Sequence, residues 1–454
     1  MVLGVGRYRP WMLAGVAFAL ASVLGCGDVY RPIVTNIPPV QPAPQPPKYA
    51  VVISCGGNGA NVNATSIYNV CNNVNANGVG SIVDFSGDSL LVRVDLGNGP
   101  RWIGLNSTLN NAGFNGYTAN ADGTINTFSI STTLETNQVD TSTLLPNANP
   151  SVLLSANGDT LYVVEQGRNS IAVMTSTASS SVPAVQLEIP ITDPQNVSAA
   201  QNPVNLVGNS TAQRIYAIAQ GPNAPPNAPC PSSAGNGSIT AIETGTSTIS
   251  AVIPSGVCPI YGIMSADNRR TFVLNQGSGT ITVIDSQQNQ LDQNPNLTNG
   301  TIAVGQGPVW ADLYNTGSIL AVVNSQSNTL SLINVSLDSF GNDSPNFGQI
   351  IATVPVGKNP TSVAILQDGS RAYVANHDDG TVSVVSLVSN QVLKTIPVAG
   401  HPISIAATTG TPTGKVYVVS PDSDLMTIIR TDNDTVANSL QLTGAGVQVR
   451  VTAP

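Results

Sequence analysis

Residues 360–402 read PTSVAILQDGSRAYVANHDDGTVSVVSLVSNQVLKTIPVAGHP. Four short runs stand out, SVAIL, AYVAN, TVSVVSL and VLKTIPV, each rich in residue types that favour a pleated backbone. Asp368-Gly369 and Asp379-Gly380 are tight-turn pairs between runs, and Ser389-Asn390 separates the last two. The stretch is therefore a four-stranded antiparallel meander. SVAIL and TVSVVSL carry almost no charge, so neither face of the sheet suits water. Stacking copies of the meander face to face covers both.

The chain supplies those copies. The proline that opens the meander recurs in Gly99-Pro100, Asn149-Pro150, Asn202-Pro203, Cys258-Pro259, Gly307-Pro308, Asn359-Pro360 and His401-Pro402, at steps of 42 to 56 residues. A residue before proline is pushed towards extended backbone, which suits a chain crossing from one sheet to the next. The middle runs recur as GYTANADGTINTFSI from Gly116, LYVVEQGRNSIAVM from Leu161, TFVLNQGSGTITVID from Thr271 and LAVVNSQSNTLSLIN from Leu320. With Tyr373-Val374-Ala375-Asn376 as its clearest copy, the chain from about Gly80 onward resembles the YVTN-repeat β-propeller family. The resemblance implies an all-β propeller of four-stranded antiparallel blades. It implies little about chemistry, because functions within that family are diverse.

Seven complete meanders are counted from the opening prolines. GSIVDFSGDSLLVRVDLGNGP at Gly80–Pro100 supplies a third and fourth strand, YAVVIS at Tyr49 a second, and VQVRVTA at Val447–Ala453 the missing first. Closing the ring with strands from both termini removes an open sheet edge and gives eight blades. Seven follow instead if Tyr49–Ser54 or Val447–Ala453 packs elsewhere.

The first residues read as an export signal: Arg7 and Arg9, then the apolar run WMLAGVAFALASVLG, too short to be a spanning helix. Val23-Leu24-Gly25-Cys26 resembles the lipobox of bacterial lipoproteins, which makes 1–25 the signal peptide and Cys26 the lipidated new N-terminus. An ordinary signal peptide cut at a small residue is the alternative. Residues 26–48 are proline-rich and form an extended tether, and 49–454 are the propeller. Expected localisation is the cell envelope, on the periplasmic side or on the outer surface of the outer membrane.

Four cysteines remain after Cys26, and four allow three pairings. In a propeller the loops joining second to third strands share a face, here called the top, with the crossings from one blade to the next. Cys55 and Cys71 fall in one such loop. Cys230 falls in the long loop Gly221–Gly237 and Cys258 on the crossing of the same blade. The expected pairs are Cys55 with Cys71 and Cys230 with Cys258, as suits an exported chain.

Loops on a rigid scaffold usually carry function, which points to the top face. Next to the opening prolines, at the mouth of the central channel, lie Arg101, Trp102, Tyr261, Trp310, Asp312 and His401. These are the candidate ligand-binding residues, suited to a small polar ligand or a peptide. The turns add Asp122, Arg168, His377, Asp378 and Asp379. Against this, the aromatics are equally accounted for by packing between blades, and His377 to Asp379 by a solvated turn.

Catalytic signatures are missing. The chain has 2 His, no metalloprotease or haem spacing and no phosphate-cradling loop. No cofactor or metal is expected. Loss of Arg7 and Arg9 with the leader leaves 14 basic against 25 acidic residues, a formal charge of −11. That balance disfavours nucleic acid. The reading is a monomeric, lipid-anchored binding or scaffolding module for an envelope protein, a peptide or a small molecule, touching the membrane through its anchor alone. The alternative is a lactonase-like hydrolase built on Arg101, Asp312 and His401.

Overall fold

In the computed structural model the four runs of residues 360–402 are the strands Pro360–Ile365, Arg371–Asn376, Thr381–Ser386 and Gln391–Pro397, hydrogen-bonded side by side in that order. Ala364 faces Tyr373, Tyr373 faces Val384 and Val384 faces Lys394 across the sheet. Burial falls along the same line: every residue of the first strand is buried, whereas most of the fourth is exposed. The first strand is therefore the inner one and the fourth the rim. The structure describes residues 48–56, 60–71, 75–107, 114–156, 160–177, 180–193, 196–208, 211–224, 230–314, 318–408 and 413–452. The export signal, Cys26 and the proline-rich tether as far as residue 47 lie outside the described residues.

Eight such sheets form the propeller. Blade 1 is assembled from both ends of the chain, with Ala445–Val451 innermost, then Tyr49–Cys55, Gly78–Asp84 and Ser89–Leu96. The seam is antiparallel, Val52 facing Val449 and Ala50 facing Val451. Both terminal strands belong to this one sheet, so the ring has eight blades rather than seven. The inner strands of blades 2 to 8 are Pro100–Ser107, Pro150–Ala156, Pro203–Val207, Pro259–Met264, Pro308–Leu313, Pro360–Ile365 and Ser404–Thr408. Each packs beside the next, and Ser404–Thr408 packs beside Ala445–Val451 to close the circle. In blade 5 the rim position is shared by Gln290–Leu291 and Thr301–Ala303, both paired with Thr280–Asp285.

The recurring residues have definite structural work. The asparagine ending a second strand is buried, and its amide reaches the hydroxyls of the third. Asn376 donates to Thr381 at 3.1 Å and Ser383 at 2.9 Å, Asn275 to Thr280 and Thr282 at 3.0 Å each, and Asn324 to Thr329 at 3.1 Å and Ser331 at 2.9 Å. This internal bonding satisfies a buried amide that would otherwise be costly. In blades 3 and 7 the repeat tyrosine stitches its blade to the next. Tyr162 of blade 3 donates to the Thr244 carbonyl of blade 4 at 3.1 Å, and Tyr373 of blade 7 bonds Asp434 of blade 8.

One local expectation is corrected and one element is added. The residue before the opening proline is not extended: φ is positive at Gly99, Asn149, Asn202, Cys258, Gly307 and Asn359. Entry to blades 2 to 7 needs a left-handed residue at this position, and Gly and Asn recur there because they adopt it at least cost. In blade 8 the left-handed residue is Gly400, one place before His401. Blade 2 also carries a short helix, Ile130–Thr136, between its third and fourth strands. Its Thr-rich sequence gives no helical signal, and it is held by buried Ile130 and Thr133 and by a left-handed Asn137 at its end.

Candidate functional site

The geometry of the channel follows from the edges of the inner strands. One edge of each inner strand pairs with the second strand, so the N–H groups on its other edge point at the axis and need partners. Channel-facing side chains of the preceding blade supply them. Gln448 of blade 1 accepts from the Ile103 N–H of blade 2 at 2.8 Å, and Asp312 of blade 6 from the Ile365 N–H of blade 7 at 2.8 Å. Ser404 of blade 8 accepts from the Val449 N–H of blade 1 at 3.2 Å.

Counting along each inner strand from its opening residue, Gly446 stands where the other blades have proline. Gln448 then falls in the row of Trp102, Tyr261 and Trp310, and Arg450 in the row of Asp312. Blades 2 and 6 face each other across an eight-membered ring, as do blades 1 and 5. The aromatic side chains are long enough to meet at the axis. Trp102 and Trp310 approach with ring centroids 6.4 Å apart, and Tyr261 stacks on Trp310 at 4.3 Å with the planes 22° apart. The Arg450 guanidinium lies 5.1 Å from the Trp102 ring centre and 5.4 Å from that of Trp310. A cation set against two indole rings is a favourable arrangement, strengthened where water is scarce. The three aromatics are 8 to 9% exposed, so they pack closely around this part of the channel, whereas Arg450 is only half-buried. It lies near the top face, within two to four residues of where each inner strand begins.

The polar groups around the cluster are unequal. Burial pushes the Tyr261 hydroxyl up to about 12, opposed by the nearby Arg450, which is also its hydrogen-bond partner. Burial likewise pushes Asp312 up to about 6, against the pull of the Ile365 and Leu313 N–H bonds and of Arg450. Asp312 keeps some solvent-accessible surface, yet it sits inside the ring with protein on every side, so loss of hydration dominates. Gln448 is fully buried, and its Nε2 has no hydrogen-bond partner.

Trp102, Tyr261, Trp310 and Asp312 thus belong to one site. Arg101 does not join them. It turns into the contact between blades 2 and 3, where it donates to Asn149 Oδ1 at 2.8 Å and to the Pro150 carbonyl at 3.1 Å, and burial lowers its pKa. His401 is on the top surface, its Nδ1 2.6 Å from Asp422. Its ring is 5.3 Å from that of buried His377, whose Nδ1 lies 2.7 Å from Asp378. Arg101, Asp312 and His401 are therefore engaged with separate partners and share no contact. Among the described residues no group of three or more His, Cys, Asp or Glu side chains is gathered as a metal ion would need. Arg450 escaped the reading of the sequence because its strand lacks an opening proline. Aligning GVQVRV from Gly446 with PVWADL from Pro308 would have placed it in the row of Asp312.

Both expected disulfides are formed, Cys55 with Cys71 and Cys230 with Cys258, at Cα separations of 5.7 and 6.2 Å. The Cys230 N–H donates to Gln276 Oε1 at 3.0 Å, tying the long loop of blade 4 to the second-to-third turn of blade 5. Two disulfides fit an extracytoplasmic location.

Fold and site together define an eight-bladed β-propeller with an aromatic and cationic cluster in its channel. No protein-family model matches the chain, and no curated protein matches it in sequence. Among solved structures, apo AztD from Citrobacter koseri is similar with a TM-score of 0.54 at 9% identity, covering 89% of this chain and 98% of its own. The dihydro-heme d1 dehydrogenase NirN, solved in complex with DHE, is similar with a TM-score of 0.58 at 11% identity, covering 88% of this chain and 74% of its own. At such identities the likeness establishes the fold alone.

Proposed function

We propose that this protein is a lipid-anchored binding module of the cell envelope, a propeller of the YVTN-repeat kind that takes a small polar ligand or a peptide end into the top of its channel. The observation that carries this is the convergence of Trp102, Tyr261, Trp310 and Arg450 from four blades on one point of the axis. A propeller needs only small or aliphatic residues there, and blades 3 and 7 supply Val152 and Ser362 in the same row. Rigid aromatic faces around a half-exposed cation are features of a recognition site. Separation of Arg101 from Asp312 and His401 weighs against the hydrolase alternative. The lipobox-like Val23 to Cys26 and the proline-rich stretch after it support the anchor.

The test has two arms. Mature protein is incubated with envelope extract, desalted and analysed by native mass spectrometry, beside Trp310→Ala. A retained mass absent from the variant supports the reading, and equal spectra from the two overturn it. Labelled palmitate should enter the chain and be lost in Cys26→Ser.

A further inference from the structure

Resting on that reading, we propose that the channel cluster is a carboxylate site, in which Arg450 and Gln448 grip the acid group of a small organic anion while Trp102, Trp310 and Tyr261 hold its apolar body. The guanidinium is planar. The two indole rings, 5.1 and 5.4 Å from it and 6.4 Å from each other, flank it side by side rather than enclose it, and the in-plane N–H edges of a guanidinium match the two oxygens of a carboxylate. One contact goes to the Tyr261 hydroxyl. None of the ion pairs among the described residues involves Arg450.

The one acid near it does not replace such a ligand. Asp312 has its two oxygens committed to backbone donors, Oδ1 to the Leu313 N–H at 2.9 Å and Oδ2 to the Ile365 N–H at 2.8 Å. Gln448 stands two residues before Arg450 on the same side of the same strand. Its Oε1 is fixed by the Ile103 N–H, which leaves Nε2 as a buried donor without a partner on the channel wall. Buried polar groups are rarely left so. The neighbourhood thus offers an unpaired cation, an unused amide donor and flat apolar surfaces, the complement of an aromatic or short aliphatic carboxylic acid. A phosphate has three acceptor oxygens and no apolar body, and would leave the ring faces unused.

The cluster carries its own reporter. Besides Trp11 of the leader, Trp102 and Trp310 are the tryptophans of the chain. Intrinsic fluorescence of residues 26–454, bearing Cys26→Ser, therefore reads the site directly. Sodium benzoate and acetate are titrated at constant ionic strength, beside neutral benzamide, sodium chloride and inorganic phosphate. The expected result is a saturable change with benzoate, weaker with acetate and missing with the other three. Arg450→Gln should weaken benzoate about ten- to a hundredfold, the value of charge-assisted hydrogen bonds. Arg450→Lys, which keeps the charge without the fork, should fall between. Thermal melts of each variant show that it is folded.

No saturable response to either carboxylate, or a response that survives Arg450→Gln in folded protein, overturns the carboxylate site. So does phosphate binding as well as benzoate. Ligand retention from envelope extract would still stand in each case, which separates failure of this proposal from failure of the binding function.

Discussion

Trp102 and Trp310 stand on opposite blades of the ring and meet at its axis, 6.4 Å between ring centroids. Contact across the diameter ties blades that are otherwise joined only through their neighbours. Truncation of either ring to alanine should cost about 3 kcal/mol through lost burial and the void left behind. The double variant should cost less than the sum by about 1 kcal/mol, because the second truncation removes a contact already lost. Urea unfolding followed by circular dichroism measures both. Strict additivity would show that the rings do not support each other.

Asp312 makes folding depend on pH in a definite direction. Its carboxyl titrates near 3.8 when unfolded and at about 6 in the fold. Below pH 3.8 it is neutral in both states and costs nothing. As pH rises from there to about 6 the unfolded chain ionises first, so stability is lost across that window and stays lost above it. Allowing for its partial access to solvent, the loss is on the order of 1–2 kcal/mol. Asp312→Asn keeps an oxygen for the Ile365 N–H and has no charge to desolvate. The variant should match the native protein near pH 4 and exceed it by that amount at pH 8. Denaturant midpoints at the two values decide it, and equal midpoints at pH 8 would remove the account.

Much of this fold is legible in the chain because its determinants are local. Asp-Gly and Asn turns, β-branched runs and the asparagine that bonds the next strand all act within a few residues of Pro360 to Pro402. Disulfide pairing is legible too, once the topology puts Cys230 and Cys258 on one face. The site is legible in part. Trp102, Tyr261 and Trp310 are marked by their place after a proline, but whether they pack between blades or meet at the axis depends on the ring's diameter, which no local pattern encodes. Arg450 is invisible to the proline rule because Gly446 opens its strand. Arg101 looks like its neighbour Trp102 in sequence, yet alternation along the strand turns it into the next blade.

The ring is closed by seven residues, Ala445–Val451, which also carry Gln448 and Arg450. A stop after Thr443 would expose the edge of Tyr49–Cys55, strand Val51 to Ile53 of which is otherwise wholly buried. Exposed apolar edges pair with other chains. Such a truncation should move the protein from a single species to aggregates in size-exclusion chromatography. It should also leave the Ile103 N–H without its Gln448 partner. A synthetic Gly444–Pro454 peptide added during refolding should restore the original elution. An unchanged elution without the peptide would mean that the closing strand is dispensable.

The two disulfides close loops of similar size, at sequence separations of 16 and 28, so chain entropy assigns each about 3 kcal/mol. Their local effects should differ. Cys55 ends the strand that pairs with both Ala445–Val451 and Gly78–Asp84, so Cys55→Ser with Cys71→Ser loosens the seam of the ring. Cys258 lies at the entry to blade 5 with a left-handed φ, a position that blades 3, 4 and 7 fill with asparagine. Cys230→Ser with Cys258→Asn therefore loses the crosslink but keeps a residue suited to the turn. Hydrogen exchange should show the first pair of substitutions raising exchange in Ala445–Val451, and the second raising it around Cys230 while the seam stays protected. Equal exchange at the seam in both variants would show that Cys55 does not guard the closure.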